Sequence, residues 1–351
     1  MLKAGVVGYG YWGPNLARCL SETDDVQLIA IADQSAAALE RAARRYPGAH
    51  LTKNWIELVR NGAIDAVAIA TPVQSHFEIA EAALLADKHV LVEKPITRTA
   101  EQAERLIDLA AAKSRIILVD HTLCYTPAVK ALCDLVNSGT LGDLYYYIST
   151  RMNLGAFRSD VDVIWDLAVH DIAILEYCLK TQPIAVSASG VCHIKGTPAN
   201  LAHVSLFYEN GLLGDVSVNW LSPVKIRQSI LSGNRRMVVF DDLETSEKIK
   251  IYDSGVSLEA SDAESRRSML VSYRIGDMTA PRLATTEALL VETRHFADCI
   301  LKGAKPITDG ETGLRVLEIL EAASRSMEQR GAPVELRQSR GLVDGGYGSV
   351  P

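Results

Sequence analysis

Two side chains in one predicted helix could move a proton. Asp166 and His170 are four residues apart in a segment that reads as helical from 162 to 179, so both would lie on one helix face. Histidine suits proton transfer near neutrality, and an imidazole beside a carbinol could accept the hydroxyl proton as hydride leaves the carbon. The same spacing could form half of a metal site, or the carboxylate could simply orient a core histidine. Since no further ligand cluster stands nearby, we predict no metal.

A lysine in the tripeptide Glu93-Lys94-Pro95 is the second candidate for chemistry. It follows an apolar run at 88–92, which places it at the carboxyl edge of a parallel sheet, where such folds bind ligands. Its ammonium could stabilise a developing alkoxide or exchange a proton with a hydroxyl. The alternative is a lysine paired with Glu93 at the end of a strand. Proline after Lys94 fixes the turn and is compatible with a cis bond.

A glycine pattern near the N-terminus predicts a dinucleotide site. Gly8-Tyr9-Gly10-Tyr11-Trp12-Gly13 follows an apolar strand and precedes a helix-permissive segment. The first glycine allows a tight turn, the second lets a pyrophosphate approach the backbone, and the third lets the helix pack on the strand. The alternative is an ordinary strand-to-helix turn. The predicted helix also offers unpaired N–H groups to an anion.

An acid after the second apolar strand indicates which nicotinamide is used. Asp33 lies about twenty residues beyond the glycines, where a carboxylate would bind a ribose 2′-hydroxyl. It would repel a 2′-phosphate, and Gln34-Ser35 supply no arginine to bind one. We therefore expect NAD, with NADP less favoured. Asp33 could instead, or also, cap the helix predicted from Ser35 to Tyr46.

Alternating strands and helices position these residues. We predict an α/β fold: an N-terminal doubly wound parallel Rossmann sheet over residues 1–120, with strands at 3–8, 26–32, 65–70, 88–92 and 115–119. For residues 121–351 we predict a substrate-binding and oligomerisation domain with a large open, mostly antiparallel sheet. Helices are expected at 75–85, 99–112, 127–138, 283–301 and 310–330. One face of the open sheet is expected to be an oligomer interface, with a solvated polar face as the alternative.

Composition restricts the partners. The chain has 351 residues, 48% of them hydrophobic, and a net charge of −7, which disfavours nucleic acid and anionic membranes as partners. The N-terminus runs directly into a strand without a basic-then-apolar leader, and no apolar run is long enough to span a bilayer. We therefore expect a cytoplasmic protein.

Taken together, these motifs resemble the glucose-fructose oxidoreductase, inositol dehydrogenase and MocA (Gfo/Idh/MocA) family of nicotinamide enzymes. The similarity covers nearly all of the chain and includes Thr71-Pro72 with His76. It implies that Lys94 is the catalytic lysine, His170 the general base and Asp166 a substrate-binding or orienting acid. It also implies a homodimer or homotetramer. The cofactor-binding set would be Gly8, Gly10, Tyr11, Trp12, Gly13, Asp33, Thr71, Pro72, His76, Glu93 and Lys94. Two positions depart from the expected pattern: Asp120 stands where similar sequences have glycine, and Val169 where proline is common.

The resemblance limits the substrate to a polyol, sugar, sugar nucleotide or related carbinol. The segments 11–15, 151–155 and 158–160 resemble bacterial sugar-nucleotide dehydrogenases, including UDP-N-acetylglucosamine 3-dehydrogenases. We therefore expect oxidation of the 3-hydroxyl of a UDP-N-acetylhexosamine. Four cations could hold its diphosphate, or could be ordinary surface charges: Arg151, Arg158, Lys225 and Arg227. Tyr125 and Asn153 could bind sugar hydroxyls or stabilise their own loops.

Four other functions fit the same motifs. An inositol or free-sugar dehydrogenase would need no diphosphate-binding arginines, and a deoxysugar ketoreductase would run the same site in reverse. An NAD-dependent glycosidase would oxidise the sugar only transiently. A non-catalytic NAD-sensing regulator is expected to lack the lysine or the histidine that this chain retains.

Overall fold

The computed structural model describes residues 1–155, 161–253, 255–258, 271–274 and 276–336. It divides into two compact units. The first consists of Met1–Cys133, Ile172–Tyr177 and Arg282–Glu321, and the second of Asp134–Asp171, Cys178–Pro281 and the chain from Ala322 onward. The first unit thus draws on three separate stretches of chain, of which Met1–Cys133 contains the predicted residues 1–120.

A six-stranded parallel sheet forms the centre of the first unit, in the order β3-β2-β1-β4-β5-β6. Its strands are β1 (Leu2–Val7), β2 (Val26–Ala32), β3 (His50–Thr52), β4 (Ala66–Ile69), β5 (His89–Glu93) and β6 (Ile117–Asp120). The middle strands are buried on both faces, as β4 shows with four buried residues in succession. This confirms the predicted Rossmann sheet.

Among the described residues, the α-helices in chain order are α1 (Gly13–Glu22), α2 (Ala36–Arg45), α3 (Trp55–Arg60), α4 (His76–Leu85), α5 (Ala100–Lys113), α6 (Pro127–Asn137), α7 (Val169–Leu179), α8 (Ala288–Lys302) and α9 (Gly310–Glu328). Short polar side chains begin several of them. Ser35 accepts the backbone N–H of Ala38 at the start of α2, and Thr99 accepts that of Gln102 at the start of α5. The cap of α2 is therefore Ser35, and Asp33 has a different role, described below.

The second unit is built on a nine-stranded mixed sheet in the order β16-β13-β12-β11-β7-β10-β9-β8-β17. Its strands are β7 (Leu144–Leu154), β8 (Ala185–Val191), β9 (Leu201–Phe207), β10 (Leu213–Asn219), β11 (Leu221–Gly233), β12 (Met237–Asp241), β13 (Ile249–Tyr252), β16 (Met278–Thr279) and β17 (Val334–Glu335). Strands β14 (Gly255–Leu258) and β15 (Val271–Arg274) form a separate pair. Because only β7 and β10 pair in parallel, the predicted mostly antiparallel sheet is confirmed.

The two faces of this sheet differ in burial. Successive residues of a strand point to opposite faces, and on β7 the side chains of Tyr147, Ser149 and Arg151 are buried. The opposite face, here called the outer face, carries Ile148, Phe207 and Leu213, which are 43%, 37% and 44% exposed. Leu213 pairs with both Tyr146 and Phe207, so these apolar side chains lie on neighbouring strands.

Among the residues described, no helix is both long and apolar enough to cross a membrane.

Candidate active site

The glycine-rich turn has the geometry that a dinucleotide requires. Gly8 directly follows β1 with φ +94°, and a Cβ there would lie 2.7 Å from the backbone of Ala70. A Cβ on Gly13 would lie 2.0 Å from the carbonyl oxygen of Gly8, so the start of α1 packs directly on the turn. A Cβ on Gly10 would meet no atom within 4 Å. The open space at Gly10 beside the first turn of α1 fits a pyrophosphate.

A cleft of about 390 Å³ extends from this turn along the carboxyl edge of the sheet. Predicted cofactor residues that line it are Gly8, Gly10, Asp33, Thr71 and Pro72. Lys53 and Trp55 also line it, and the sequence did not point to them. They follow β3, a strand of only three residues, which is too short to show an apolar period.

Asp33 ties the wall of the cleft to the glycine-rich turn. One carboxylate oxygen accepts the backbone N–H of Tyr9 at 2.6 Å, and the other accepts that of Ser35 at 2.7 Å. The carboxylate lines the cleft at the end of β2. A ribose diol can share such an acceptor, whereas a 2′-phosphate would meet its negative charge. The residues present therefore fit NAD.

Replacing this carboxylate should change the cofactor preference. In Asp33→Ser we expect the ratio of NADP to NAD affinity to rise about 100-fold, because the charge repulsion is removed and Lys53 remains in the same cleft. Titration calorimetry with each dinucleotide measures this ratio. Lys53→Ala in the Asp33→Ser background should cancel most of the gain. An unchanged ratio in Asp33→Ser would show that Asp33 does not face the ribose.

The turn that carries Lys94 is braced by His76. The Lys94–Pro95 bond is cis, and Lys94 is half-buried. His76 is buried, with Nδ1 2.9 Å from the carbonyl oxygen of Pro95 and Nε2 2.8 Å from that of Thr71. Burial lowers the pKa of His76. His76 thus links the segment after β4, which lines the cleft, to the segment after β5, which carries Lys94.

A second histidine beside Lys94 was not among the predicted site residues. His121 directly follows β6 and is 2% exposed. Burial, together with the charge of Lys94, lowers the pKa of His121 to about 3, so its ring is neutral. Neither ring nitrogen has a hydrogen-bond partner among the residues that the structure describes. Lys94 therefore has a neutral, polar neighbour at the carboxyl edge of the sheet.

Tyr11 and Trp12, two further residues of the glycine-rich turn, differ in their surroundings. Tyr11 is 94% exposed, whereas Trp12 is half-buried and its indole N–H is donated to Asp120.

In the second unit, Asp166 and His170 lie on one side of a helical segment. Asp166 falls in a π-helical turn, Ile164–Ala168, and His170 in the following α7. Both are half-buried, while the intervening residues 167–169 are buried. The indole N–H of Trp220 donates to Asp166 at 3.1 Å and fixes its carboxylate. Widened turns of this kind are frequent at functional sites.

Several predicted substrate residues have partners inside their own unit. Arg151 is 3% exposed and binds the carboxylate of Asp171 through Nε at 2.8 Å and Nη2 at 3.1 Å. Arg227 lies 3.5 Å from Asp242. Tyr125 is buried, with its hydroxyl 2.9 Å from that of Thr308, and burial raises its pKa. Each of these three side chains therefore already has a partner within its own unit.

The remaining substrate candidates are Asn153, Lys225 and Arg158. Asn153 is half-buried near the end of β7, and its amide nitrogen and the ring of Trp220 both lie beside Gly155. Lys225 is exposed on β11, and Arg158 falls outside the described residues. In the part of the chain that is described, no three His, Cys, Asp or Glu side chains are arranged to hold a metal ion.

Comparison with known proteins gives the relatives of both units. A family profile described as "Oxidoreductase family, NAD-binding Rossmann fold" matches residues 2–121, and its partner, "Oxidoreductase family, C-terminal alpha/beta domain", matches residues 134–336. Inositol 2-dehydrogenase of Rhizobium meliloti is 26% identical over 94% of this chain and 98% of its own length. UDP-N-acetylglucosamine 3-dehydrogenase of Acidithiobacillus ferrooxidans is 26% identical over 90% of this chain and 94% of its own length.

Solved structures agree with these matches. The structure of the Acidithiobacillus ferrooxidans UDP-N-acetylglucosamine 3-dehydrogenase superposes with a TM-score of 0.80 at 25% identity, covering 94% of this chain and 98% of the other. A protein from gentamicin A biosynthesis, solved in complex with NAD, shares the fold with a TM-score of 0.80 at 23% identity, covering 96% of each chain. The glycine-rich turn, the Asp33 carboxylate and the two matched domains together show that the chain belongs to the Gfo/Idh/MocA family of NAD-binding oxidoreductases.

Proposed function

We propose that this protein is a dehydrogenase that oxidises a ring hydroxyl of a sugar nucleotide, the 3-hydroxyl of a UDP-N-acetylhexosamine, with NAD. The observation that carries the proposal is the likeness to UDP-N-acetylglucosamine 3-dehydrogenase, which extends over nearly the whole of both chains in sequence and in structure. The half-buried Lys94, Asp166 and His170 supply the groups that such an oxidation needs.

In the proposed mechanism, the chain's own residues handle the proton and the charge. The glycine-rich turn and Asp33 would hold NAD, which would supply the acceptor for the hydride of the carbinol carbon. His170 takes the hydroxyl proton on an imidazole nitrogen, and the Lys94 ammonium stabilises the charge that develops on the oxygen. The two roles could be exchanged, because an amine and an imidazole can each accept and give up a proton. Asp166, fixed by Trp220, orients the sugar or the imidazole.

A second candidate is oxidation of an inositol or free sugar. Inositol 2-dehydrogenase matches the chain at the same 26% identity. In addition, Arg151 and Arg227, two of the four cations expected to hold a diphosphate, are paired with Asp171 and Asp242. A free polyol needs no such cations, so the pairing of these two arginines favours the second candidate.

Formation of NADH from a small panel of substrates distinguishes the two candidates. NAD is mixed with UDP-N-acetylglucosamine, its uronate, myo-inositol or glucose, and absorbance is followed. We expect signal with a UDP-sugar only, and inhibition of that signal by UDP. Signal with inositol or glucose alone, insensitive to UDP, would replace the first candidate by the second. Turnover that releases a sugar leaving group without net NADH would indicate a glycosidase.

We further propose that the outer face of the nine-stranded sheet joins two copies of this chain. Exposed apolar side chains on adjacent strands form a contiguous patch of the kind that marks interaction surfaces. Leu213→Asp, between Tyr146 and Phe207 in this patch, should convert a dimer or tetramer to a smaller species, because assembly would bury an unpaired charge. Light scattering measures the mass. Leu301→Asp, at a 47% exposed position on α8, is the matched control. A wild-type chain that is already monomeric would contradict the proposal.

A further inference from the structure

A hydrogen bond joins the glycine-rich turn to the end of a distant strand. Trp12 donates its indole N–H to one carboxylate oxygen of Asp120 at 2.7 Å, and the hydroxyl of Thr122 donates to the other oxygen. Asp120 is the last residue of β6 and is 2% exposed. A buried carboxylate depends on such donors, because it has lost its water. The bond therefore fixes the indole strongly.

Trp12 in turn fixes the place where the cofactor's phosphates would lie. It is the residue immediately before α1, and its carbonyl oxygen accepts the N–H groups of Asn15 at 2.9 Å and Leu16 at 3.3 Å. The open space at Gly10 is two residues away. A residue that anchors Trp12 thus sets the position of the first turn of α1 relative to the glycines.

We propose that Asp120 is a positioning residue for NAD, which holds the glycine-rich turn in its pyrophosphate-binding form through the indole of Trp12. This inference rests on NAD binding by the Rossmann unit and is independent of the proposed sugar substrate. It also gives a role to a position at which the chain departs from the glycine expected in similar sequences.

A third side chain, Glu292, interacts electrostatically with Asp120. Glu292 on α8 is fully buried, and neither of its oxygens makes a hydrogen bond of normal geometry to a described residue. Burial and then the negative charge of Asp120 raise the pKa of Glu292 well above its usual value. The titratable groups around it are Asp120 on β6, Glu93 on β5, Cys19 on α1, and Cys124 and Tyr125 after β6.

The sign of the resulting pH effect follows from these charges. The raised pKa favours the protonated form of Glu292, which leaves Asp120 as the single charge that binds Trp12. When the pH rises through the raised pKa, a second carboxylate forms beside the first, and the two repel each other in a buried setting. The added charge also opposes the anionic pyrophosphate. NAD affinity should therefore fall as the pH rises through the range in which Glu292 ionises.

A double-mutant cycle tests the coupling between the two residues. NAD binding is measured by titration calorimetry in wild type, Trp12→Phe, Asp120→Ala and the double variant. We expect each single change to raise the Kd about 10-fold, which corresponds to about 1.4 kcal/mol, and the double variant to bind no more weakly than either single one. Single variants that bind NAD like wild type, or effects that add in full, would overturn the proposal.

The pH dependence separates positioning from general destabilisation. Glu292→Gln keeps the shape of the protonated acid but cannot ionise, so its NAD affinity should stay constant where that of wild type falls. Thermal unfolding without NAD shows that the variant is folded. Parallel pH profiles in wild type and Glu292→Gln would overturn the role of Glu292. Because no sugar enters these titrations, failure of the substrate panel leaves their outcome unaffected.

Discussion

Lys94→Ala is expected to lower kcat about 10³-fold while changing the Kd for NAD by less than about threefold. Lys94 directly follows β5 at the carboxyl edge of the sheet. His76 contacts the carbonyl oxygen of Pro95 in the same turn. Removing the ammonium takes away the charge that would stabilise the developing alkoxide, but it leaves the glycine-rich turn and Asp33 in place. Steady-state rates and NAD titration measure the two quantities separately.

The control for this prediction is Lys113→Ala. Lys113 ends α5, where the chain leads into the amino end of β6, and it pairs with Asp87 at 3.2 Å. Its loss removes the same charge from the same unit at the opposite edge of the sheet, so kcat should remain near the wild-type value. Equal losses of kcat and NAD affinity in Lys94→Ala would mean that the lysine binds the cofactor and does not serve the chemistry.

The parallel sheet and the glycine-rich turn could be predicted because each has a local cause in the sequence. The parallel strands are continuous apolar runs, and the glycines of the first turn are required by a positive φ at Gly8 and a close contact at Gly13. Strand β3 could not be predicted, since three residues show no period. Without it, Lys53 and Trp55 had no assigned place at the edge of the sheet.

The polar residues of the site were harder to predict for a different reason. Arginine in a sequence signals a charge but not its partner. Arg151 looked suited to a diphosphate, yet the fold places Asp171, twenty residues further on, against the Nε–Nη2 edge of its guanidinium. Similarly, Asp120 was visible as an unusual residue, but its partner Trp12 is 108 positions away. Pairings of this length arise from tertiary structure, which one sequence does not display.

Replacement of His170 by asparagine is expected to give the second largest loss of activity, about 10²-fold to 10³-fold in kcat near neutral pH. Asparagine is close in size and polar, so the half-buried position on α7 should tolerate it. What is lost is the group that accepts the hydroxyl proton. The matched control is His50→Asn, which removes an exposed histidine of the first unit.

The pH profile identifies the role of this histidine more sharply than the loss itself. Oxidation needs the unprotonated imidazole, so the wild-type rate should rise with pH through the range in which histidine titrates and then level off. In His170→Asn that step should be absent. The rate should continue to rise with pH, because hydroxide then takes the hydroxyl proton. The difference in rate between wild type and His170→Asn should therefore become smaller at high pH. Reduction of the ketone, run in reverse, needs the protonated form and should show the opposite slope in wild type. A wild-type rate that does not change with pH in either direction would exclude His170 as the base, and Lys94 would then be the group left to carry the proton.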